Sequence, residues 1–437
     1  MFLPAAFAQL TPQDIYLWMI DRAFDVDEPP YNGDIHAVDP TSEDATPRCR
    51  SSGIEFCKKA LSFYMPNSIG AWNYVAATPF GNPTKSKEVN DLIKHIKRCE
   101  VRGKGKKSKA RREFKTAEWH ALIECWESCP EWCNMYRNAT IQRHMHHLIL
   151  RPDDVCMFEQ KGLMPHNRFD FALLQQVRWS KNVLEERDCP PQILLGAMDT
   201  YYCLLLSLAI YMEYRFKCQD GATRRFLYCD DNDDGCPKRY KGTFGRMWNK
   251  IAASDHFQAV HQQFQQPNSQ PIGVYAYRKY AKTYATARGI PDEQSDLRGR
   301  WRNKRQKASD RYNAPDRPYI DAKVADALCP GGSIKYKLRP DSGVNDDWIY
   351  QYVVPETRAY YGEYSTVAKV LGTALLWACF EPTMEPRVPP ILWNDVRNAY
   401  AMVPNRLEDG INPVKKVCHV VFALYFETAS HSFDALS

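Results

Sequence analysis

The longest apolar run in the chain, Tyr201 to Met212 (YYCLLLSLAIYM), sets the first constraint on the fold. It falls far short of the ~20 residues needed to span a bilayer. It is therefore expected as the heart of a buried helix, Gln192 to Tyr214, around which other helices must pack. Apolar residues at helical spacing supply them. Ile54, Cys57, Leu61 and Tyr64 share one face before a stop at Pro66, and Val89, Leu92, Ile93 and Ile96 share another. Further helices are expected over Thr11–Phe24, in the Trp-rich stretch Thr116–Asn138, and in VAKVLGTALLWACF. One stretch reads differently. FALLQQVRWSKNVLEERDCPPQ has an apolar run, a turn and a return run, which predicts a β-hairpin with Lys181 at its tip. The fold class is mostly α with a small β component.

With 437 residues, two or three domains are expected. The segments are a leader of low order carrying one helix (1–46), a helical unit (47–135), a mixed unit (136–325) and a C-terminal extension (326–437). MFLPAAFAQL lacks a basic n-region, so no signal peptide is read, and no membrane role is indicated. The fifteen cysteines contain no C-x-x-C and many sit in apolar helices, usage that fits a reducing compartment, nucleus or cytosol. His120, Cys125, Cys129 and Cys133 could share a helix face. Pro130 interrupts it, and the spacing is unlike common zinc sites. Asp230, Asn232, Asp234 and Gly235 imitate an EF-hand start, but Lys241 stands where the bidentate carboxylate belongs. No metal or cofactor is expected.

The formal charge of +6 matters less than where it lies. Lys94, Lys97 and Arg98 lie opposite the apolar face of their helix. Next comes a Gly-broken basic loop with Arg102, Lys104, Lys106, Lys107, Lys109, Arg111 and Arg112. Arg298, Arg300, Arg302 and Lys304 form a second cluster. Such runs suit a phosphate backbone, which they position without reading. The alternative is a solvated linker or a nuclear import signal.

The stretch Gly273–Tyr312 combines Arg278 on a helix, Trp301 among those cations, and Tyr312 eleven positions later. Arginine forks bind phosphate oxygens bidentately, an indole N–H can donate to another, and a phenol can attack phosphorus. A basic helix with a core Trp and a surface Tyr is the plainer alternative. Upstream, Arg151 precedes Asp154 by three positions, a spacing that lets a carboxylate hold an arginine in place. The spacings of one and two among His144, His146 and His147 do not put residues on one helix face, and the three read as packing or DNA contacts.

These motifs carry a resemblance. GNPTKSKEVNDLIK, His147-Leu-Ile-Leu-Arg151-Pro-Asp-Asp154, the Trp179–Pro190 run and the Arg278…Trp301…Tyr312 series resemble Crypton-type tyrosine recombinases over roughly residues 50–430. The resemblance implies a DNA-clamping domain, a catalytic α+β domain and a tetramer on double-stranded DNA in the nucleus. It implies that Arg151, Asp154 and Arg278 handle the scissile phosphate and that Trp301 donates to it or supports Tyr312. Tyr312 would be the nucleophile and Lys181 the general acid, with neither metal nor ATP. One departure stands out. The family's G-T-H-S-x-R-K reads here Gly273-Val-Tyr-Ala-Tyr-Arg278-Lys279, so Tyr275 replaces a histidine. A phenol with a pKa of ~10 is a poor proton shuttle near neutrality, which predicts a slow or degenerate enzyme. A DNA-binding protein that lost the chemistry and an RNA- or chromatin-binding module are the competing functions.

Overall fold

A computed structural model describes residues 7, 9–24, 45–66, 70–75, 80–106, 111–128, 131–181, 183, 189–218, 221–229, 237–265, 271–301, 318–362, 365–404 and 417–422. The chain divides into two compact units, residues 1–110 and 111–437, and both are mainly helical.

Among its described residues the first unit has α-helices α1 (Pro12–Ala23), α2 (Ser51–Tyr64) and α3 (Lys87–Val101). A capping box starts α1: Thr11 Oγ1 accepts from the Asp14 N–H, and Asp14 returns the contact to the Thr11 N–H. Ser86 caps α3 in the simpler way, accepting from Val89. Ile15, Met19 and Ile20 of α1 pack with Ile54 of α2 and with Val89, Leu92, Ile93 and Ile96 of α3. The helix expected in a poorly ordered leader is thus part of this core. Apolar residues on three or four positions per two turns gave it a face to bury.

The second unit begins with α4 (Thr116–Glu127), α5 (Trp132–His147) and the single turn α6 (Pro152–Val155). α4 was expected with the N-terminal helices, but Trp119 and Trp126, both fully buried, anchor it in the larger core. Strands β1 (Leu163–Pro165), β2 (Leu173–Gln175) and β3 (Gln192–Leu194) form an antiparallel sheet in that order. The return run expected directly after Lys181 lies mostly outside the described residues; β2 instead pairs with β3, Leu173 opposite Leu194. Lys181 lies in the long connection.

The expected helix from Gln192 is corrected accordingly. Gln192–Leu194 completes the first sheet, and β4 (Gly196–Ala197) opens a second. At Gly196 a Cβ would come within 2.9 Å of the Ile334 carbonyl oxygen, so the close strand approach excludes any larger residue. The helix, α7, runs over Leu204–Cys218 and is buried on nearly every side. It packs against α5 and against two helices of the C-terminal segment, α13 (Pro355–Tyr361) and α14 (Thr366–Phe380).

Between them the chain forms α8 (Pro237–Ala252), α9 (Asp255–His261), α10 (Ala276–Ala287), α11 (Asp292–Arg298), α12 (Pro318–Ala327) and β5 (Ser333–Leu338). After α14 come α15 (Pro390–Ala401) and β6 (Cys418–Phe422). β5 lies between β4 and β6, both antiparallel to it. The described residues beyond position 326, among them Ile349, Leu371, Leu375 and Val396, therefore belong to the core of this unit. A buried node fixes the join: Glu127 accepts from Arg143 at 3.1 Å and from Arg387 Nη2 at 3.0 Å. Removing one member of such a group leaves an uncompensated buried charge, which costs ~3–5 kcal/mol. Among the described residues no helix is long and apolar enough to cross a membrane.

The three histidines of α5 are fully buried and contact no surface. His144 pairs with the Tyr228 hydroxyl, His146 with the Leu328 carbonyl (2.9 Å) and His147 with the Tyr202 carbonyl (2.9 Å). Burial pushes His144 down to about 3, His146 to about 4 and His147 well below 6.5. Above pH 6.5 they are neutral whether the chain is folded or not. As pH falls from 6.5 toward 4, the unfolded chain takes up protons that the folded one refuses, so stability falls. Buried Glu213, pushed up to about 7 by desolvation, works the other way between pH 4.5 and 7. Urea unfolding between pH 7 and 5 should therefore show a shallower slope in His144→Gln and a steeper one in Glu213→Gln. Each change should average about 1 kcal/mol per pH unit over that range.

Candidate active site

Helix α5 ends at His147, and Ile149 turns the chain through a left-handed conformation (φ 49°). Arg151 then caps α6, with Pro152 at its first position, where a missing N–H costs nothing. That geometry aims the Asp154 carboxylate back. Its Oδ2 accepts from the Arg151 backbone N–H at 3.1 Å and lies 3.4 Å from Arg151 Nε.

A second guanidinium comes to the same oxygen from 127 positions along the chain. Arg278, on the first turn of α10, places Nη1 3.5 Å from Asp154 Oδ2. Its Nη2 donates to the Gly299 carbonyl, and its guanidinium lies 4.0 Å from the centre of the Trp301 ring. Arg278 is 8 % exposed and Asp154 fully buried. Arg300 is buried alongside, donating to Gln192 Oε1 (2.7 Å) and the Leu148 carbonyl (3.2 Å). Burial pushes both Arg278 and Arg300 down to about 10, with Asp154 pulling back, so both stay charged at neutral pH. Arg151 Nη2 reaches Ser180 Oγ at 2.9 Å, which ties the β2–β3 connection to the site one residue before Lys181. The Lys181 side chain is exposed.

Arg151, Asp154, Arg278 and Trp301 are thus brought together, with Ser180, Gln192 and Gly299 as partners that sequence reasoning did not single out. A glycine two positions before the tryptophan was the one available signal for Gly299. Tyr275 stands at the N-cap of α10, 48 % exposed, and its hydroxyl reaches Asp153 at 3.5 Å. Asp153 also pairs with Lys241 of α8, a second link the sequence did not suggest. Tyr312, Arg302 and Lys304 lie outside the described residues, as do Lys107, Lys109 and the Asp230–Gly235 loop.

The expected phosphate contacts divide. On α3, Lys94 and Lys97 are exposed and pair with Asp91 (2.9 Å) and Glu55 (2.5 Å). Arg98, Arg102, Lys104 and Lys106 are exposed in the same unit, and Arg111 in the second. Arg298 is corrected: at 1 % exposure it donates to the carbonyls of His147 (2.7 Å) and Ile193 (2.7 Å) and to Asp321 (2.6 Å). It is an internal strut. Arg112 is likewise spent on fully buried Glu118, which His261 also contacts. Among the described residues no three His, Cys, Asp or Glu side chains are grouped to hold a metal, and the side chains of Cys129 and Cys133 lie outside them.

Arg151 and Arg278 lie within 3.5 Å of one Asp154 oxygen and Arg300 is buried beside them, so among the described residues this cluster holds more positive than negative charge. One buried nitrogen, Arg278 Nη1, has no hydrogen-bond acceptor among the described residues. Chemically such a cluster can receive an oxyanion. Asp154→Asn should lower stability by about 2–4 kcal/mol, because the arginines lose their buried counter-charge. Sulfate should then raise the melting temperature of the variant more than that of the wild type at matched ionic strength. Equal shifts would refute an anion pocket.

No protein-family model matches the chain, and no curated relative matches it either.

Proposed function

We propose that this chain cuts and rejoins duplex DNA by transesterification, as a recombinase or transposase of a mobile element. The observation that carries the reading is the meeting of Arg151 and Arg278 within 3.5 Å of a single carboxylate oxygen. Those two arginines were selected by motif order alone. In this reading they clamp the non-bridging oxygens of the scissile phosphate and neutralise the charge that grows in the five-coordinate transition state. The Tyr312 oxygen bonds to phosphorus and the bond to the 5′ oxygen breaks. Lys181 protonates that leaving group. The ester energy stays in the 3′-phosphotyrosine link, so the reverse attack by a 5′-hydroxyl reseals the strand. Exposed cations on α3 and beyond it would track the backbone. Action in the nucleus, and as a tetramer on DNA, belongs to the same proposal.

A binding protein with lost chemistry is the second reading, and Tyr275 favours it. Tyr312 must give up its proton, and a phenol tied to Asp153 is badly suited to receive it.

A nicked suicide duplex carrying the element's terminal sequence separates the two. Wild type should give a protein–DNA adduct resistant to denaturant, absent in Tyr312→Phe, while duplex binding persists in that variant. Binding without any adduct would leave only the second reading. Tyr275→His should raise the rate of adduct formation tenfold or more, since positioned acid–base help is worth ~10²–10⁴. No gain would count against the place assigned to Tyr275.

A further inference from the structure

A guanidinium presents all five of its donors in one plane and none across its faces. Whatever fixes that plane decides where a phosphate can sit. For Arg278 it is fixed by the three residues Gly299, Arg300 and Trp301. The indole covers one face at 4.0 Å, the Gly299 carbonyl takes Nη2, and Nη1 is left beside Asp154 with a donor to spare.

The turn is built to hold this pose. A Cβ on Gly299 would run into the six-membered ring of Trp301. Arg300 sits in the left-handed region (φ 54°), which is costly for a residue with a side chain. Its bonds to Gln192 and Leu148 keep it there. Lys282 places a second cation 5.7 Å from the indole, and is itself held by Ser295 (2.6 Å) and Asp296 (2.7 Å).

We propose that Trp301 acts on the reaction through Arg278 and makes no bond to the phosphate: it is a positioning residue whose ring face, not its N–H, is what the chemistry uses. This rests on the strand-transfer reading above and assigns Trp301 a role different from a direct oxyanion donor. Phenylalanine keeps a face and loses the N–H, whereas leucine keeps apolar volume and loses both.

In the full chain, Trp301→Phe should form the suicide-substrate adduct within about threefold of wild type. Trp301→Leu should fall by about tenfold or more, the range expected for a desolvated cation–π contact. In an Arg278→Ala background, added guanidinium chloride should restore adduct when position 301 is aromatic and fail to in the Trp301→Leu double variant. A Phe variant as impaired as the Leu variant, or rescue indifferent to residue 301, overturns the proposal. If wild type forms no adduct, the enzyme reading fails separately, and urea unfolding of Trp301→Leu, Arg278→Met and the pair decides. Coupling of about three- to thirtyfold in the unfolding constant supports the contact, and additivity within about twofold overturns it.

Discussion

The second unit depends on how one helix ends. The last carbonyls of α5 have no partner within the helix, and they are buried where water cannot serve them. Arginines from 151 and 152 positions further along take two of them: Arg298 Nε binds the His147 carbonyl and Arg300 Nη2 that of Leu148. A helix C-terminus carries partial negative charge, so cations are the favoured partners. Asp321 offsets the charge of Arg298 and also accepts from the Ile193 N–H, which brings β3 and α12 to the same point. One helix end thereby fixes the order of packing for a strand, another helix and the turn after α11.

The cluster of Arg151, Asp154 and Arg278 follows from that arrangement. Because the turn is held against Leu148, Trp301 lands on Arg278, and Arg278 faces the carboxylate that Arg151 already engages. Like charges brought so close would repel strongly in a low-dielectric interior. Asp154 makes the arrangement tolerable and, carrying one charge against three, leaves it unsaturated. Structural support and readiness for a ligand are consequently one electrostatic state.

What could be read in the sequence was mostly local. Helical periodicity identified α2, α3 and α14, and the three-residue step from Arg151 to Asp154 foretold their contact. Arg298 and Arg112 were misjudged for a physical reason. A cation in a basic run looks solvent-facing, and only the fold reveals that its partner is a helix end or a buried glutamate far along the chain. The same holds for the triple histidine, where adjacent positions concealed three separate buried acceptors. Gln192–Leu194 reads as helix because a short apolar run has no period of its own; its neighbours in the sheet decide.

The second sheet has a consequence for how the protein is made. β4 lies at residues 196–197, and the strand on the far side of β5 lies at 418–422. At ~5–20 residues per second, the roughly 220 residues separating them take about 10–40 s to emerge from a ribosome. Until Thr366–Phe380 emerges the apolar flank of α7 meant for α14 stays uncovered, and throughout the interval the growing polypeptide holds an unfinished sheet edge. Holdase chaperones that bind nascent chains would find their longest opportunity here, well after the N-terminal helices have settled.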